Sequence, residues 1–426
     1  MKKYILIILC CLTSFPLWSY NVNMIVEHYS VDQGLPNNTV NCTLKDRDGF
    51  IWFGTWYGLC CFDGVKFKTF NKQEHDSDVP PRKIQRIVED KNGYIWVKTI
   101  DRKLYVFNKV TECFHAVYDD MKNYSENIQV IKLQNTAEGD VLLLTKDKNL
   151  LLAGVDEKGQ VTIKILFDSR DEINKHDYTL KHHVLCETEE YISWIGTDYK
   201  VSAVHKGAEL ASRPADFITS KINSGDKDSF TSFFEDGRKV WVGDRAGIFY
   251  SIDVRTGLVN RYVLSEIKGA ISNLLVTPAG YVYLSVAGQG TYEYDLAERR
   301  LQKINTEMND AMVTHAFIDQ YDKIWFHENE KALIYYDPLN HTAKRFPFTM
   351  FGKITTLYSE DAGERGLFFL SPAGEAWLFD REHAEMVYIN KLKQLSNDRA
   401  NQQFYHLMLD NDGVLWLSSA DEGVYC

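Results

Sequence analysis

Apolar and polar residues alternate along most of this chain in short runs, the period-2 signature of half-buried strands, and turns rich in Asp, Asn and Gly separate the runs. Thr39 to Lys45 alternates in this way, and Asp46-Arg47-Asp48-Gly49 then supplies a turn in which Gly49 can take positive φ. Phe50 to Gly54 reads as a second strand, with Ile51 and Phe53 on one face and Trp52 on the other. Thr55-Trp56-Tyr57-Gly58 turns the chain into a third strand over Leu59 to Phe62, and Asp63-Gly64 turns it again into an outer strand over Val65 to Phe70. The order repeats with Asp90-Lys91-Asn92-Gly93, Tyr94-Ile95-Trp96-Val97 and Leu104 to Asn108. No long helical pattern interrupts the series.

The slot of Trp52 is filled again by Trp96, Leu142, Trp194, Trp241, Tyr283, Trp325, Phe368 and Trp416, at steps of 44, 46, 52, 47, 42, 42, 43 and 48 residues. Periods in this range mark the four-stranded blades of a β-propeller. A blade cannot bury both faces alone, so the large residue in the slot is read as packing between neighbouring blades. Six of the nine tryptophans occupy it, which leaves Trp56, in a turn, without a packing role that the repeat explains.

Composition agrees: 45% hydrophobic and 13% aromatic residues can supply a large core. The N-terminus sets the compartment. Met1-Lys2-Lys3 is a short basic start, Tyr4 to Leu12 an apolar run and Ser14 to Ser19 a small-residue exit, so residues 1–19 are expected to be a secretory signal peptide. Without them the chain carries 46 Lys and Arg against 59 Asp and Glu, a net charge of about −13. Such a chain is repelled by phosphate backbones, which argues against a nucleic-acid partner, although a cleft with two or three arginines could still hold an anionic glycan. Six cysteines follow the signal segment; Cys60 and Cys61 should point to opposite faces of one strand, and the six are read as small buried side chains, although export permits one disulfide, Cys42 with Cys60 or Cys61 across neighbouring strands. The cysteines and histidines show no metal-ligand spacing, the adjacent His182 and His183 pointing apart, and neither a metal nor a cofactor is expected.

Residues Glu27 to Val40, with Asp46 to Thr55 and Gly58 to Gly64, closely resemble the opening of the two-component-regulator propeller repeat. The resemblance implies the periplasmic sensor half of a hybrid two-component system of gut Bacteroidetes. It also implies two seven-bladed propellers in tandem, a β-sandwich, a membrane helix and a histidine kinase fused to a response regulator. Such sensors typically detect an oligosaccharide released from a polysaccharide and switch on the genes for its use. On this basis the chain is expected to be all-β, with a first propeller of seven units over 23–348 and the first two units of a truncated second one over 349–426. The kinase would lie downstream of residue 426 and the chain itself would not be an enzyme. Partners would be the oligosaccharide, the membrane only through missing downstream segments, and a second copy through the full-length sensor. A single ring using all nine units is the alternative architecture, and Ile25 to Ser30 reads as an outer strand that either pairs with the seventh unit and closes the ring or caps a later blade.

In such a ring the turns between second and third strands share one face with the loops leading into each inner strand. That face would collect the candidate ligand-binding residues Trp56, Tyr57, Asp101, Arg102, Tyr199, Arg245, Gln289 and His327 from the turns, and Asn37, Asn38 and Arg82 from the loops. A saccharide site needs an aromatic plate and polar groups for hydroxyls, and Trp56 is the expected plate. Two other classes stay open: an exported propeller glycoside hydrolase or polysaccharide lyase, and a non-catalytic protein-interaction propeller. Against catalysis stands the absence of a nucleophile beside a base or of an arginine triad; the recurring Asp46, Asp90 and Asp410 are explained by turn chemistry.

Overall fold

The computed structural model describes residues 25–426 apart from 71–79, 123–128, 148, 168–184, 196–199, 208–216, 222–229, 305–312, 330, 352–357, 372–373, 392–403 and 411. The signal-peptide segment, Tyr199 and the His182-His183 pair fall outside the described residues. What is described is a β-propeller of nine four-stranded antiparallel sheets. In blade 1 the strands are Val40–Lys45, Ile51–Thr55, Gly58–Phe62 and Phe67–Phe70, hydrogen-bonded in that order.

One aspartate organises the first turn. Asp46 Oδ1 accepts from the backbone N–H groups of Asp48 (3.0 Å) and Phe50 (2.9 Å), and Oδ2 accepts from the Trp52 indole at 2.7 Å. The turn and the packing residue are thus fixed by the same carboxylate. Asp90 with Trp96 (2.9 Å), Asp319 with Trp325 (3.3 Å) and Asp410 with Trp416 (2.8 Å) repeat the arrangement. In blade 5 Asp236 holds Trp241 at 2.6 Å. Where the slot holds Leu142 or Tyr283, the turn residue is Thr136 or Thr277, whose hydroxyl accepts a backbone N–H but offers no second oxygen to an indole.

Trp52, Trp96, Trp241, Trp325 and Trp416 are all buried, and they lie between blades as expected. Apolar clusters join each blade to the next. Trp52 and Phe70 meet Ile84 and Phe107 between blades 1 and 2, and Trp96 meets Leu133 and Leu143 between blades 2 and 3. Phe167 meets Trp194, Ala203 meets Val242 and Tyr250, Trp241 meets Leu274 and Leu284, and Tyr283 meets Ile324 and Phe326. Trp325 and Phe348 meet Phe369 and Trp377 between blades 7 and 8, and Ala376 meets Leu417 between blades 8 and 9.

Blade 9 then packs on blade 1, with Trp416 and Val424 against Val40, Phe53 and Phe62. The chain supplies three strands of blade 9, Phe404–Leu409, Leu415–Ser419 and Val424–Tyr425, and the short strand His28–Tyr29 completes the sheet as the fourth. His28 pairs with Tyr425 and Tyr29 with Val424, and Tyr29 packs its ring on Phe62, Phe67 and Trp416. Backbone contact at this seam is tight: Gly423 has φ of +91°, and a Cβ there would lie 2.2 Å from the Tyr29 carbonyl oxygen.

The expected division into seven units over 23–348 and two over 349–426 is therefore not the arrangement seen. Blades 7 and 8 share one apolar cluster, and the early strand closes the ring on the ninth sheet instead of the seventh. Cys42, Cys60 and Cys61 are buried, as expected of small packing residues, and the disulfide that export permits is not formed among them. Cys42, Cys60, Cys61, Cys113 and Cys426 are free thiols, and the strand Ile51–Thr55 lies between those of Cys42 and Cys60-Cys61. Cys60 and Cys61 do face opposite ways, Cys60 toward blade 9 and Cys61 toward blade 2. Burial pushes the thiols of Cys42 and Cys61 up to about 12, which keeps them protonated.

Candidate functional site

The turns between second and third strands are stitched to the next blade's inner strand by backbone hydrogen bonds. The Trp56 carbonyl accepts from Lys83 N–H (2.9 Å), the Arg102 carbonyl from Val130 (3.0 Å) and the Asn38 carbonyl from Gly423 (2.8 Å). Several of the expected site residues are engaged within the chain itself. Asn37 Oδ1 accepts its neighbour Thr39 N–H at 2.9 Å and Asn38 Oδ1 accepts Val31 N–H at 2.9 Å, so both amides shape the chain beside the seam. Gln289 straps a loop, accepting from Lys268 N–H (2.7 Å) and donating to the Glu266 carbonyl (3.0 Å). His327 lies on the strand Ile324–Glu328, not in a turn, half-buried against Phe348 and bonded to the Thr314 hydroxyl at 2.7 Å. Burial, with His315 nearby, holds its pKa below the usual value. Arg245 and Arg82 are exposed. Trp56 is 42% exposed, beside the exposed Tyr57, with the Lys83 ammonium 5.4 Å from its ring centroid.

Asp101 and Arg102 do come together, at a cavity of about 430 Å³ between blades 2 and 3. Leu104, Tyr105, Ala116, Val117 and Met121 give it an apolar floor, and Tyr118, Gln129 and Lys103 complete the lining. Arg102 adopts a left-handed φ of 67° as its N–H returns to the Thr99 carbonyl, which projects it from a tight turn. Asp101 accepts from the Thr99 hydroxyl and lies 3.5 Å from Lys103 Nζ. Tyr118 is 57% exposed at the start of the short helix Tyr118–Met121. Sequence reasoning passed over Tyr118 because it lies in the connection between blades, where the repeat carries no pattern.

One acidic cluster has the geometry of a metal site: ligand atoms of Asp46, Asp48 and Glu89 lie within 4.8 Å of one another. The Lys109 ammonium already sits among them, at 3.1, 2.7 and 2.8 Å. Burial works against this charge, but the hydrogen bonds that the ammonium donates to Asp48, Glu89 and Asp46 outweigh it and hold the lysine pKa above its usual value. Its contribution is therefore full below the unfolded lysine value and is lost only as pH rises beyond it. Lys109→Met is expected to cost on the order of 3 kcal/mol at neutral pH, since it leaves Asp46 and Glu89 buried without their partner. Urea unfolding checks this, and a midpoint equal to the parent's would show that a carboxylate cluster alone is tolerated.

Residues 34–57 match the family model described as two component regulator propeller. A search of curated proteins finds no match. Among solved structures, the chain is similar to an extracellular domain described as that of a hybrid two component system, BT4673 from B. thetaiotaomicron, at 15% identity and a TM-score of 0.40, covering 93% of this chain and 66% of that one. The corresponding domain of BT3049 from the same organism is 14% identical, TM-score 0.35, with 93% and 58% covered. Virginiamycin B lyase from Staphylococcus aureus is 8% identical, TM-score 0.35, with 71% and 96% covered. The chain thus spans less than two thirds of the length of either B. thetaiotaomicron domain. No helix among the described residues is long and apolar enough to cross a membrane.

Proposed function

We propose that this propeller, whose residues 34–57 match the two component regulator propeller family, is the ligand-sensing region of a hybrid two-component sensor. It faces the periplasm and binds an oligosaccharide whose presence regulates genes for polysaccharide use. The observation that carries the reading is the cavity between blades 2 and 3, which pairs an apolar floor and an exposed tyrosine with a carboxylate and a guanidinium. Sugars ask for that combination, an aromatic surface for their C–H faces and charged or amide groups for their hydroxyls. The chain itself binds and does not catalyse. Its ligand acts by preferring one arrangement of the loops around blades 2 and 3, and a preference of about 1–3 kcal/mol is enough to shift a coupled kinase.

The test is calorimetric titration of the full chain with oligosaccharides from plant and host polysaccharides. One of them is expected to bind, and Tyr118→Ala to weaken it about tenfold, about 1.4 kcal/mol, with the melting temperature unchanged. Titration of Trp56→Ala locates the ligand further, since weaker binding there would extend the site to blade 1. Failure of every oligosaccharide to bind, or equal affinity in parent, Tyr118→Ala and Trp56→Ala, overturns the reading.

A further inference from the structure

Only two lysines are buried among the described residues, Lys98 and Lys206. Lys206 behaves as an interior ammonium should, with Glu187 at 2.7 Å and Glu138 at 3.2 Å. Other cations of the interior do the same: Lys323 meets Asp337, and Arg381 meets Asp319 and Asp361. Lys98, 7% exposed, has no carboxylate partner among the described residues. Its ammonium donates to two neutral oxygens, Gln85 Oε1 at 2.7 Å and the Ile131 carbonyl at 3.0 Å.

The residue directly across the strand pair from Lys98 is another cation, Arg86. Like charges placed opposite one another in a ladder are destabilising, and a buried ammonium without a counter-charge is more so. A chain with 59 acidic residues and a net charge of −11 has no shortage of carboxylates to put there. The equivalent pairs described in other blades set no lysine or arginine opposite another: Cys42 with Gly54, Lys132 with Leu144, Ser232 with Gly243, Asn273 with Ser285, His315 with His327 and His406 with Ser418. At Gly54 the packing is close enough that a Cβ would lie 2.6 Å from Ile84 Cγ2, so blade 1 has no room for the long cationic side chain that blade 2 holds at this slot.

The charge is not local to one pair. Burial lowers the Lys98 pKa first, and Arg102 and Arg86 lower it further. Arg86 also depresses His406, on blade 9, after burial. Arg86 lies opposite Lys98, Lys98 pairs with Leu104 beside the turn that carries Arg102, and Arg102 stands at the rim of the cavity lined by Tyr105 and Tyr118, so the three cations gather at one end of blade 2. Asp101, the acidic group on that rim, is engaged by the Thr99 hydroxyl and by Lys103.

We propose that the missing counter-charge is brought by the ligand, and that this site takes an acidic oligosaccharide, its carboxylate or sulfate held by Arg86 and Arg102 above Lys98. This deepens the sensor reading and rests on it. A guanidinium pair suits either anion, because both present the two oxygens that a bidentate contact needs.

The experiment is titration of the full chain, at low and physiological salt, with unsulfated uronic-acid oligosaccharides, sulfated uronic-acid disaccharides, neutral oligosaccharides of equal length, and inorganic sulfate. An acidic oligosaccharide is expected to bind at least tenfold tighter than the neutral ones, with affinity falling as salt rises. Arg86→Gln should weaken that binding at least tenfold while raising the melting temperature of the ligand-free protein, because it relieves the like-charge pair. Lys98→Met, which keeps the buried stem, should show the same two changes and serves should Arg86→Gln fold poorly. Neutral oligosaccharides that bind as tightly as acidic ones, in a manner indifferent to Arg86→Gln, would overturn the proposal and leave the sensor reading standing. Sulfate ion binding as tightly as any sugar would also overturn it, and binding of no saccharide at all would remove both.

Discussion

Trp325→Ala is expected to lower the stability of the protein by about 3–5 kcal/mol, the range for loss of a large buried aromatic side chain. Trp325 is fully buried where blades 7 and 8 meet, with ring centroids of Tyr335, Phe369 and Phe379 at 5.2, 5.3 and 4.6 Å, and its indole donates to Asp319. Truncation opens a cavity between two blades and also leaves Asp319 Oδ2 with Arg381 as its remaining partner. Urea denaturation followed by tryptophan fluorescence and by circular dichroism measures the loss. The position makes the result informative about architecture. Were blade 8 the start of a separate ring, Trp325 would lie at a boundary between rings, and its removal would cost far less than the fully enclosed Trp241 of blade 5. Equal costs at the two positions are expected from one continuous ring.

A larger effect should follow from deleting the chain through Ser30. That removes the strand His28–Tyr29, unpairs the edge of Val424–Tyr425, and takes away the Tyr29 ring that packs on Phe62, Phe67 and Trp416. It also removes the Ser30 cap of the short turn at Val31–Gln33. An open strand edge beside exposed aromatic side chains is a template for pairing with another chain. The truncated protein should therefore aggregate or melt at least about 10 °C lower; light scattering and a thermal melt read the two outcomes. Survival of a monomer with the parent's melting temperature would mean that the seam contributes nothing.

Much of this architecture was legible in the sequence because it is periodic. The Trp52 slot, the Asp46 turn and the alternation of Thr39 to Lys45 each recur, and each recurrence has a local physical cause. The number of blades in the ring was not legible in the same way. A period describes one unit and its contact with the next, whereas closure depends on a pairing between His28–Tyr29 and Val424–Tyr425 that no repeat encodes. The candidate site divides along the same line. Asp101 and Arg102 were found because the topology sends their turn to a known face, and Tyr118 was missed because connections between blades have no register. Lys98 was missed for the opposite reason, as it sits within a strand that reads as packing. The signal was there in the comparison of copies, since Lys98 stands where Gly54, Gly243 and Ser285 stand elsewhere.

The seam also sets the order in which the molecule can assemble. His28 and Glu422, which hydrogen-bond across it, are separated by 394 residues. Blades 1 to 8 form from neighbouring segments and can fold as they emerge, but the strand His28–Tyr29 has to wait for Val424–Tyr425. Closing so long a loop is slow compared with forming hairpins. Until it happens, both ends of the stack of sheets lie bare. Closure of this ring should therefore be a single latching step, limited by a search across the residues between the two strands, and a holding chaperone would be of most use in the interval just before it.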